Sequence, residues 1–281
     1  VVVVGDPLQI CPVVPHGTRL LQLLGKHWLG QPYARYAVDK HSVQTLADRA
    51  CALGVRHPAS PDSFIGVPLV MHRRCDAPMF GIANQIAYAN RMQHAKNGTA
   101  SIHPVLGPSS WWHVDAIGEN GSKFVPAQAQ RLFAALLDLY VSGAGTSDRR
   151  LPDVFVITPF REVTSSLHAL LCERATWKQA LDGRSLSLPS KATLEQLKSN
   201  IGTVHTFQGK ECDIVFFVLG CDSSHAGAID WVSGEPNILN VAVTRAKKHL
   251  YVIGDRNLWG GKPYFDTALA MLNDFQAGQA A

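Results

Sequence analysis

Two arginine-bearing segments of the sequence have side chains suited to phosphate chemistry, because a guanidinium can hold a phosphate through two parallel hydrogen bonds. The first segment, Arg73-Arg74, follows the apolar run 64–71. The second contains Arg245, which interrupts an apolar stretch within residues 237–248. An arginine that is partly buried needs an anionic partner, either a carboxylate of the protein or a nucleotide phosphate. Either arginine could offset the charge that builds up during phosphoryl transfer.

Two further polar segments contribute an amide, a hydroxyl and a carboxylate. Gln9 follows the apolar residues 1–4 and a Gly-Asp-Pro turn. It could orient a water or a phosphate oxygen, or be a solvated glutamine of the turn. Residues 203–213 read Thr-Val-His-Thr-Phe-Gln-Gly-Lys-Glu-Cys-Asp and lie between two apolar runs. So many polar groups are costly in a mere connector, which favours a functional role.

The elements that would position these segments follow from the apolar patterning. Apolar runs without polar alternation, separated by helical periodicity, predict an α/β fold with a parallel sheet covered by helices on both faces. Ligands of such sheets bind beyond the carboxyl ends of the strands. The predicted strands are residues 1–4, 64–71, 154–157, 201–205, 214–219 and 250–253. The predicted helices are residues 43–53 with Ser42 as N-cap, 76–89, 126–141, 162–172 and 236–248.

Taken together, the four polar segments resemble motifs III, IV, V and VI of superfamily 1 helicases, in the same order. Residues 202–211 resemble the "TVDxFQGrE" form of motif V, and residues 240–247 the "NVAlTRAk" form of motif VI. Residues 157–161 resemble an "ITPYr" segment. These forms are typical of the superfamily 1B branch that includes the nonsense-mediated decay helicase and senataxin.

The resemblance implies a second RecA-like helicase domain over residues 61–281, preceded by a carboxyl-terminal remnant of the first RecA-like domain over residues 1–60. Residues 93–123, expected as loops with an edge strand, and 173–200, an insertion or irregular helix, fall outside the resemblance. Its proteins couple ATP hydrolysis to movement along single-stranded DNA or RNA.

Site residues also follow from the resemblance, position by position. Catalytic roles would fall to Gln9 near the γ-phosphate, to Arg73 as the motif IV arginine and to Arg245 as the motif VI arginine finger. The nucleotide would contact Gln208, Gly209, Lys210 and Glu211, with Glu211 at the ribose. The nucleic-acid strand would contact Thr158, Pro159, Phe160, Thr203, His205 and Thr244. His72, Arg74 and Cys75 replace the family's usual Tyr, Met and His around Arg73, and His205 replaces a common Asp. These departures put in doubt the packing around Arg73 and the link to the nucleic acid.

The sequence contains neither a GxxxxGK[ST] phosphate loop nor an apolar strand that ends in Asp-Glu. We therefore expect the carboxyl half of a helicase, with ATP and Mg²⁺ bound largely by a missing amino-terminal domain. The chain alone is expected neither to bind ATP tightly nor to hydrolyse it. Residues 1–4 would then expose an unpaired strand, which predicts self-association.

Amino-acid composition and charge exclude some classes of protein but do not decide the function. A hydrophobic content of 46% and a charged content of 17% exclude a disordered chain. The net charge of +4 is too small to establish a polyanionic partner. The six cysteines include no CxxC pair, so we expect reduced thiols. No signal peptide or membrane span is predicted, and a cytoplasmic location is expected.

Two alternatives stay open at this stage. One is a non-catalytic nucleic-acid-binding module in which Phe160, Trp111 or Trp112 stacks on bases, although such aromatic residues more often pack in a core. The other is a metal-dependent hydrolase. The twelve histidines show no ligand spacing such as HExxH, so no metal site is predicted.

Overall fold

The structure is a computed structural model that describes residues 2–10, 14–57, 60–96, 102–118, 121–143 and 151–280. The chain divides into two compact units, Val1–Met71 and His72–Ala281. The sequence predicts a domain boundary between residues 60 and 61. That the first unit belongs to another RecA-like domain stays a prediction.

In its described residues, the first unit contains three helices and an antiparallel pair of strands. The elements are α1 (Thr18–Leu29), α2 (Tyr33–Tyr36), α3 (Val43–Ala50), β1 (Val55–His57) and β2 (Ser60–Ile65). The predicted N-cap of α3 is confirmed, because the Ser42 hydroxyl oxygen accepts a hydrogen bond from the Thr45 amide at 3.1 Å.

Two strand predictions in this unit are wrong. Residues 2–5 form no strand, and Val2 and Val4 are 88% and 76% exposed. A strand requires a hydrogen-bonded neighbour, and the sheet of the unit pairs only β1 with β2 within the described residues. Val1 lies outside the described residues. The run 64–71 is not continuous either: β2 ends at Ile65, and Pro68 in the following residues cannot donate to a strand ladder.

The second unit is built on a five-stranded parallel sheet, as predicted. Its strands are β5 (Ser110–His113), β6 (Val154–Thr158), β7 (Ile201–Thr203), β8 (Cys212–Val218) and β9 (Ala246–Gly254). Two short paired strands, β3 (Met71–His72) and β4 (Gln93–His94), precede them in the chain. The spatial order is β5-β9-β8-β6-β7, and every neighbouring pair is parallel. The three central strands are almost entirely buried, as their continuous apolar runs predict.

Helices flank this sheet. They are α4 (Met79–Ala87), α5 (Pro126–Ser142), α6 (Arg161–Leu171), α7 (Arg174–Ala180), α8 (Lys191–Ser199), α9 (Ala226–Ser233), α10 (Asn237–Arg245), α11 (Arg256–Trp259) and α12 (Phe265–Ala280). The expected irregular region 173–200 contains α7 and α8, and the expected edge strand within residues 93–123 is β5. Helix α10 ends at Arg245 and β9 begins at the next residue, so helix and strand meet earlier than predicted. None of the described helices has the length and apolar character needed to cross a membrane.

Trp111 and Trp112 of β5 pack against other residues of this unit. Trp111 is 1% exposed and its indole N–H donates to the Gly254 carbonyl at 3.0 Å. The ring of Trp112 stacks on Tyr251 at 4.7 Å between centroids, and the Arg131 guanidinium lies 3.7 Å from its centroid. Because Trp111 is buried, it offers no ring face to a nucleobase. That Trp112 stacks on a nucleobase stays a prediction.

The buried His249 of β9 makes the stability of this unit dependent on pH. It is 5% exposed, and burial lowers its pKa from 6.5 to about 4, with smaller contributions from His103 and Lys248. Between these two pH values, the folded state therefore binds fewer protons than the unfolded state. His249 does not reduce the free energy of unfolding above about pH 6.5, and its charging reduces that free energy as the pH falls towards 4.

We expect His249→Phe to remove on the order of 3 kcal/mol of this acid-induced decrease in the free energy of unfolding. Urea unfolding at pH 6.5 and pH 4 measures the difference. His205→Phe is the control, because His205 is exposed. An equal decrease in the His249→Phe variant and in the unmodified protein would contradict the assignment.

Candidate nucleotide and nucleic-acid site

Arg74 and Arg245 come together at the segment that connects β7 to β8. Arg74 Nε donates to Glu211 Oε2 at 2.6 Å, and one of its terminal nitrogens donates to the Thr244 carbonyl at 3.2 Å. One terminal nitrogen of Arg245 donates to the carbonyls of Phe207 and Lys210 at 3.3 and 3.0 Å. Two guanidinium groups from distant points of the chain therefore hold one short segment.

Arg245 is fully buried and is satisfied by uncharged acceptors. Besides the two carbonyls of the segment, its Nε donates to the Val241 carbonyl at 3.2 Å, and its second terminal nitrogen donates to the Thr244 hydroxyl at 3.2 Å. Carbonyl oxygens and a hydroxyl accept its hydrogen bonds, so the expectation of a carboxylate partner is wrong. The alternative of a nucleotide phosphate stays a prediction. Burial, and next the charge of Arg74, lower the pKa of Arg245 from 12.5 to about 10. The group still carries its charge at neutral pH.

The 204–211 segment presents the four residues that the resemblance assigned to the nucleotide. It begins with the 3-10 turn Val204–Phe207, and the next four residues, Gln208, Gly209, Lys210 and Glu211, are exposed. Gly209 has φ of 83°, which favours glycine because a Cβ is strained there. Lys210 Nζ lies 5.6 Å from the centroid of the Phe207 ring. The four residues are therefore accessible, and Glu211 among them contacts Arg74.

The arginine beside Arg245 is Arg74, and not Arg73 as the resemblance implied. Arg73 is exposed, whereas the Arg74 side chain is about one third exposed and paired with Glu211. The backbone around Arg74 is fixed: Lys96 Nζ donates to the Arg74 carbonyl at 3.1 Å and pairs with Asp76 at 2.6 Å. The Cys75 amide also donates to His72 Nε2 at 2.9 Å. Sequence alone cannot rank two adjacent arginines.

Gln9 belongs to the first unit and lies in a turn closed by Asp6. The Gln9 amide donates to the Asp6 carbonyl at 3.2 Å, and the Leu8 amide donates to the Asp6 carboxylate at 2.9 Å. The turn itself agrees with the Gly-Asp-Pro sequence. The role of Gln9 at a γ-phosphate stays a prediction.

A groove of about 290 Å³ lies at the carboxyl ends of β6 and β7. Its lining contains Pro159, Phe160, Thr203 and His205, which are four of the six residues assigned to nucleic acid. The other lining residues are Lys123, Arg161, Glu162 and Trp231, which the sequence analysis missed.

Thr158 and Thr244 are not in the groove lining. Thr158 is fully buried at the end of β6, and its hydroxyl accepts a hydrogen bond from the Phe160 amide at 3.4 Å. Thr244 is 4% exposed, and its hydroxyl donates to the Asn240 carbonyl of its own helix at 2.7 Å. These hydroxyls serve the local backbone, so the structure does not present them to a strand in the groove.

The 204–211 segment connects the groove to Arg74 and Arg245, which we call the arginine cluster, across the sheet. Thr203, just before it, pairs with Thr158 at the carboxyl end of β6. Cys212, just after it, pairs with Ala246 at the amino end of β9. The segment therefore runs from the carboxyl edge of the parallel sheet, where the groove lies, to the amino edge, where Arg245 holds it.

Within the described part of the chain, one group of side chains brings three possible metal-ligand atoms within 4.8 Å of one another: His113, Asp115 and Asp255. His113 Nδ1 accepts a hydrogen bond from the Arg256 amide at 3.0 Å, so the proton of a neutral ring lies on Nε2. Nε2 faces the Asp115 carboxylate at 3.1 Å. In this arrangement neither ring nitrogen offers a lone pair to a cation.

We expect Arg245→Met to lower the free energy of unfolding by roughly 3 kcal/mol, because removing the guanidinium leaves buried carbonyls without donors. Urea unfolding measures the change. Arg245→Lys should give a smaller loss, since an ammonium restores some of the donors. Arg73→Met is the matched control, because Arg73 is exposed and should change stability by less than about 0.5 kcal/mol. Equal stability of the Arg245→Met and Arg73→Met variants would contradict the conclusion that Arg245 stabilises the fold through these hydrogen bonds.

Comparison with known proteins agrees with this architecture. Residues 67–257, more than half of the chain, match a family described as an AAA domain. A segment of 124 residues is 27% identical to the DNA polymerase alpha-associated DNA helicase A of Schizosaccharomyces pombe, and it covers 44% of this chain and 15% of that relative. The chain therefore matches only a small part of the length of that relative. Because the family match covers residues 67–257, the protein belongs to the AAA domain family.

Proposed function

We propose that this chain is the part of a superfamily 1 helicase of the 1B branch that carries motifs III to VI. In this proposal, the longer protein couples ATP hydrolysis to movement along single-stranded DNA or RNA and so unwinds duplexes. The observation that carries the proposal is the 204–211 segment, which lines a groove at one end and is held by two arginines at the other. The similarity to a DNA helicase of Schizosaccharomyces pombe supports the same class.

For the nucleotide, we assign the phosphate-contacting role to Arg74 rather than to Arg73. The Arg74 guanidinium is about one third exposed, and its partner Glu211 is nearly half exposed. Such a pair is weak because solvent screens it, so a triphosphate can compete with Glu211 for the guanidinium. Glu211 would then be free to accept a hydrogen bond from the ribose, as the resemblance implies.

Arg245 acts in this proposal as a positioning residue. Four of its five N–H donors are used by protein acceptors. Its hydrogen bonds to the carbonyls of Phe207 and Lys210 keep the exposed residues 208–211 beside Arg74. The arginine-finger role implied by the resemblance would require those hydrogen bonds to exchange for a phosphate when the nucleotide binds.

The donors of this site suit the phosphates of ATP better than its magnesium ion. Arginine and lysine side chains offer positive charge and N–H donors, whereas magnesium takes oxygen ligands. The nearby carboxylate, Glu211, is paired with Arg74. We therefore propose that Mg²⁺ and most of the ATP contacts come from a phosphate-loop domain, and that this chain alone does not hydrolyse ATP.

For the nucleic acid, we propose that a single strand lies along the groove. Lys123, Arg161 and His205 supply cationic or donor groups for backbone phosphates, and Phe160 and Trp231 supply rings. Channels that bind single strands without strong sequence preference combine these two kinds of side chain. A non-catalytic nucleic-acid-binding module would use the same groove without the arginine cluster.

The assignment of Arg74 predicts a difference between two neighbouring variants. We expect weak ATP binding to the chain, detected by nuclear magnetic resonance as shifts of the backbone amides of residues 208–211. Arg74→Ala should abolish these shifts because the accessible guanidinium is lost, and Arg73→Ala should retain them. If Arg73→Ala alone loses the shifts, the phosphate contact belongs to Arg73, as the resemblance implies, and not to Arg74. Nucleic-acid-stimulated ATP hydrolysis by the purified chain would contradict the proposal that it is inactive alone.

The groove predicts salt-dependent binding of a single-stranded oligonucleotide. Arg161→Ala should weaken binding at low salt and reduce the slope of log K against log salt concentration by about 0.7, the value for one phosphate contact on a single strand. Fluorescence anisotropy titrations at several salt concentrations measure both. Lys191→Ala is the control, because Lys191 is exposed and is not among the groove residues. Equal slopes for Arg161→Ala and the unmodified chain would contradict the phosphate contact, and binding unaffected by ATP analogues in the longer protein would favour the non-catalytic module.

A further inference from the structure

Trp231 is an exposed aromatic side chain on a firmly held helix. It is 59% exposed, whereas Ile229 and Val232 of the same helix are at most 2% exposed. Asp230 pairs with Lys262 at 2.7 Å, which ties the same helix to the segment before α12. The indole is therefore presented to solvent by a fixed backbone, and its exposure is not a consequence of a loose segment.

The indole lies in the wall of the groove beside a second ring and a cation. The Trp231 and Phe160 rings lie 6.4 Å apart at an angle of 43°. Lys123 Nζ lies 5.9 Å from the Phe160 centroid, on the same groove. Phe160 is 7% exposed, so most of the accessible aromatic surface in the groove belongs to Trp231.

Polar groups of the groove, and Ser122 beside it, are fixed by their own hydrogen bonds. Ser122 Oγ donates to Glu162 Oε1 at 2.5 Å, and Lys123 Nζ lies 3.7 Å from Glu162 Oε2. The backbone of Lys123 is held as well, because its carbonyl accepts from the Cys221 amide at 2.8 Å. A planar ligand on Trp231 would therefore meet an ordered set of polar groups at its edge.

We propose that Trp231 stacks on an unpaired nucleobase of the bound strand, so that the groove binds the base as well as the phosphates. This inference rests on the proposed nucleic-acid function of the groove. A free base offers its face to an indole, whereas bases inside a duplex are covered by their neighbours. Arg161 and Lys123, on the same groove, contact the flanking phosphates. Stacking on Trp231 gives the groove a preference for single strands that charge alone does not provide.

The test compares a labelled oligothymidylate with an abasic oligomer of the same length and charge, using anisotropy titrations of the whole 281-residue chain. We expect Trp231→Ala to weaken oligothymidylate binding on the order of ten-fold, the effect of losing one stacked base. Binding of the abasic oligomer should not change. Trp231→Phe should recover most of the affinity, because a smaller ring still stacks.

Controls separate stacking from damage to the fold. Trp28→Ala should change neither affinity, because Trp28 is 77% exposed but is not among the groove residues. Thermal unfolding of Trp231→Ala should match that of the unmodified chain, because the removed side chain is mostly exposed.

Each outcome decides between the proposals. An equal loss for both oligomers in Trp231→Ala, or no loss for either, overturns the stacking role and leaves the proposed nucleic-acid function in place. If the unmodified chain binds neither oligomer, both the stacking role and the nucleic-acid function of the groove are overturned.

Discussion

The buried guanidinium of Arg245 is the constraint on which the arrangement of the candidate site depends. A charge that is fully removed from solvent is costly unless its donors find acceptors. Its acceptors include the carbonyls of Phe207 and Lys210, so satisfying Arg245 fixes the path of the chain between β7 and β8. That path in turn sets where Glu211 lies, and Glu211 pairs with Arg74. Three elements that are distant in sequence, the residues after β3, the 204–211 segment and the junction of α10 with β9, are thereby joined.

The parallel sheet gives this constraint its reach. Because neighbouring strands run in the same direction, a chain that leaves β7 must return to the opposite edge of the sheet before entering β8. The 204–211 segment makes this return in few residues, with a 3-10 turn and a glycine at positive φ. The groove and the two arginines are therefore joined by a short, hydrogen-bonded piece of backbone. Under the proposed function, this piece of backbone would link the bound nucleotide to the bound strand.

The groove and the arginine cluster differ in how their charges are treated. In the cluster, Arg245 is withdrawn from solvent and serves the fold, and Arg74 remains accessible. In the groove, the cations and the Trp231 ring remain accessible. Glu162 pairs with Lys123 and accepts a hydrogen bond from the Ser122 hydroxyl. Such a mixed surface is suited to a ligand that carries both phosphates and planar bases. The division of roles between two arginines of the same site follows from their burial and not from their residue type.

The amino-acid sequence by itself determined the sheet and the composition of the site. Continuous apolar runs gave β6 and β8, helical periodicity gave α5 and α6, and the polar segment between β7 and β8 was identified by its density of functional groups. Burial and partner choice were decided only by the tertiary structure. Adjacent arginines are equivalent in sequence until a turn directs one inward. Whether Thr158, Thr244 or Arg245 meets a ligand or a backbone carbonyl depends on what packs over it, and Trp231 gave no local signal because an indole on a short helix is usually core. Residues 2–4 also show this dependence on tertiary structure, because a strand-like sequence forms no strand where the fold supplies no neighbouring strand.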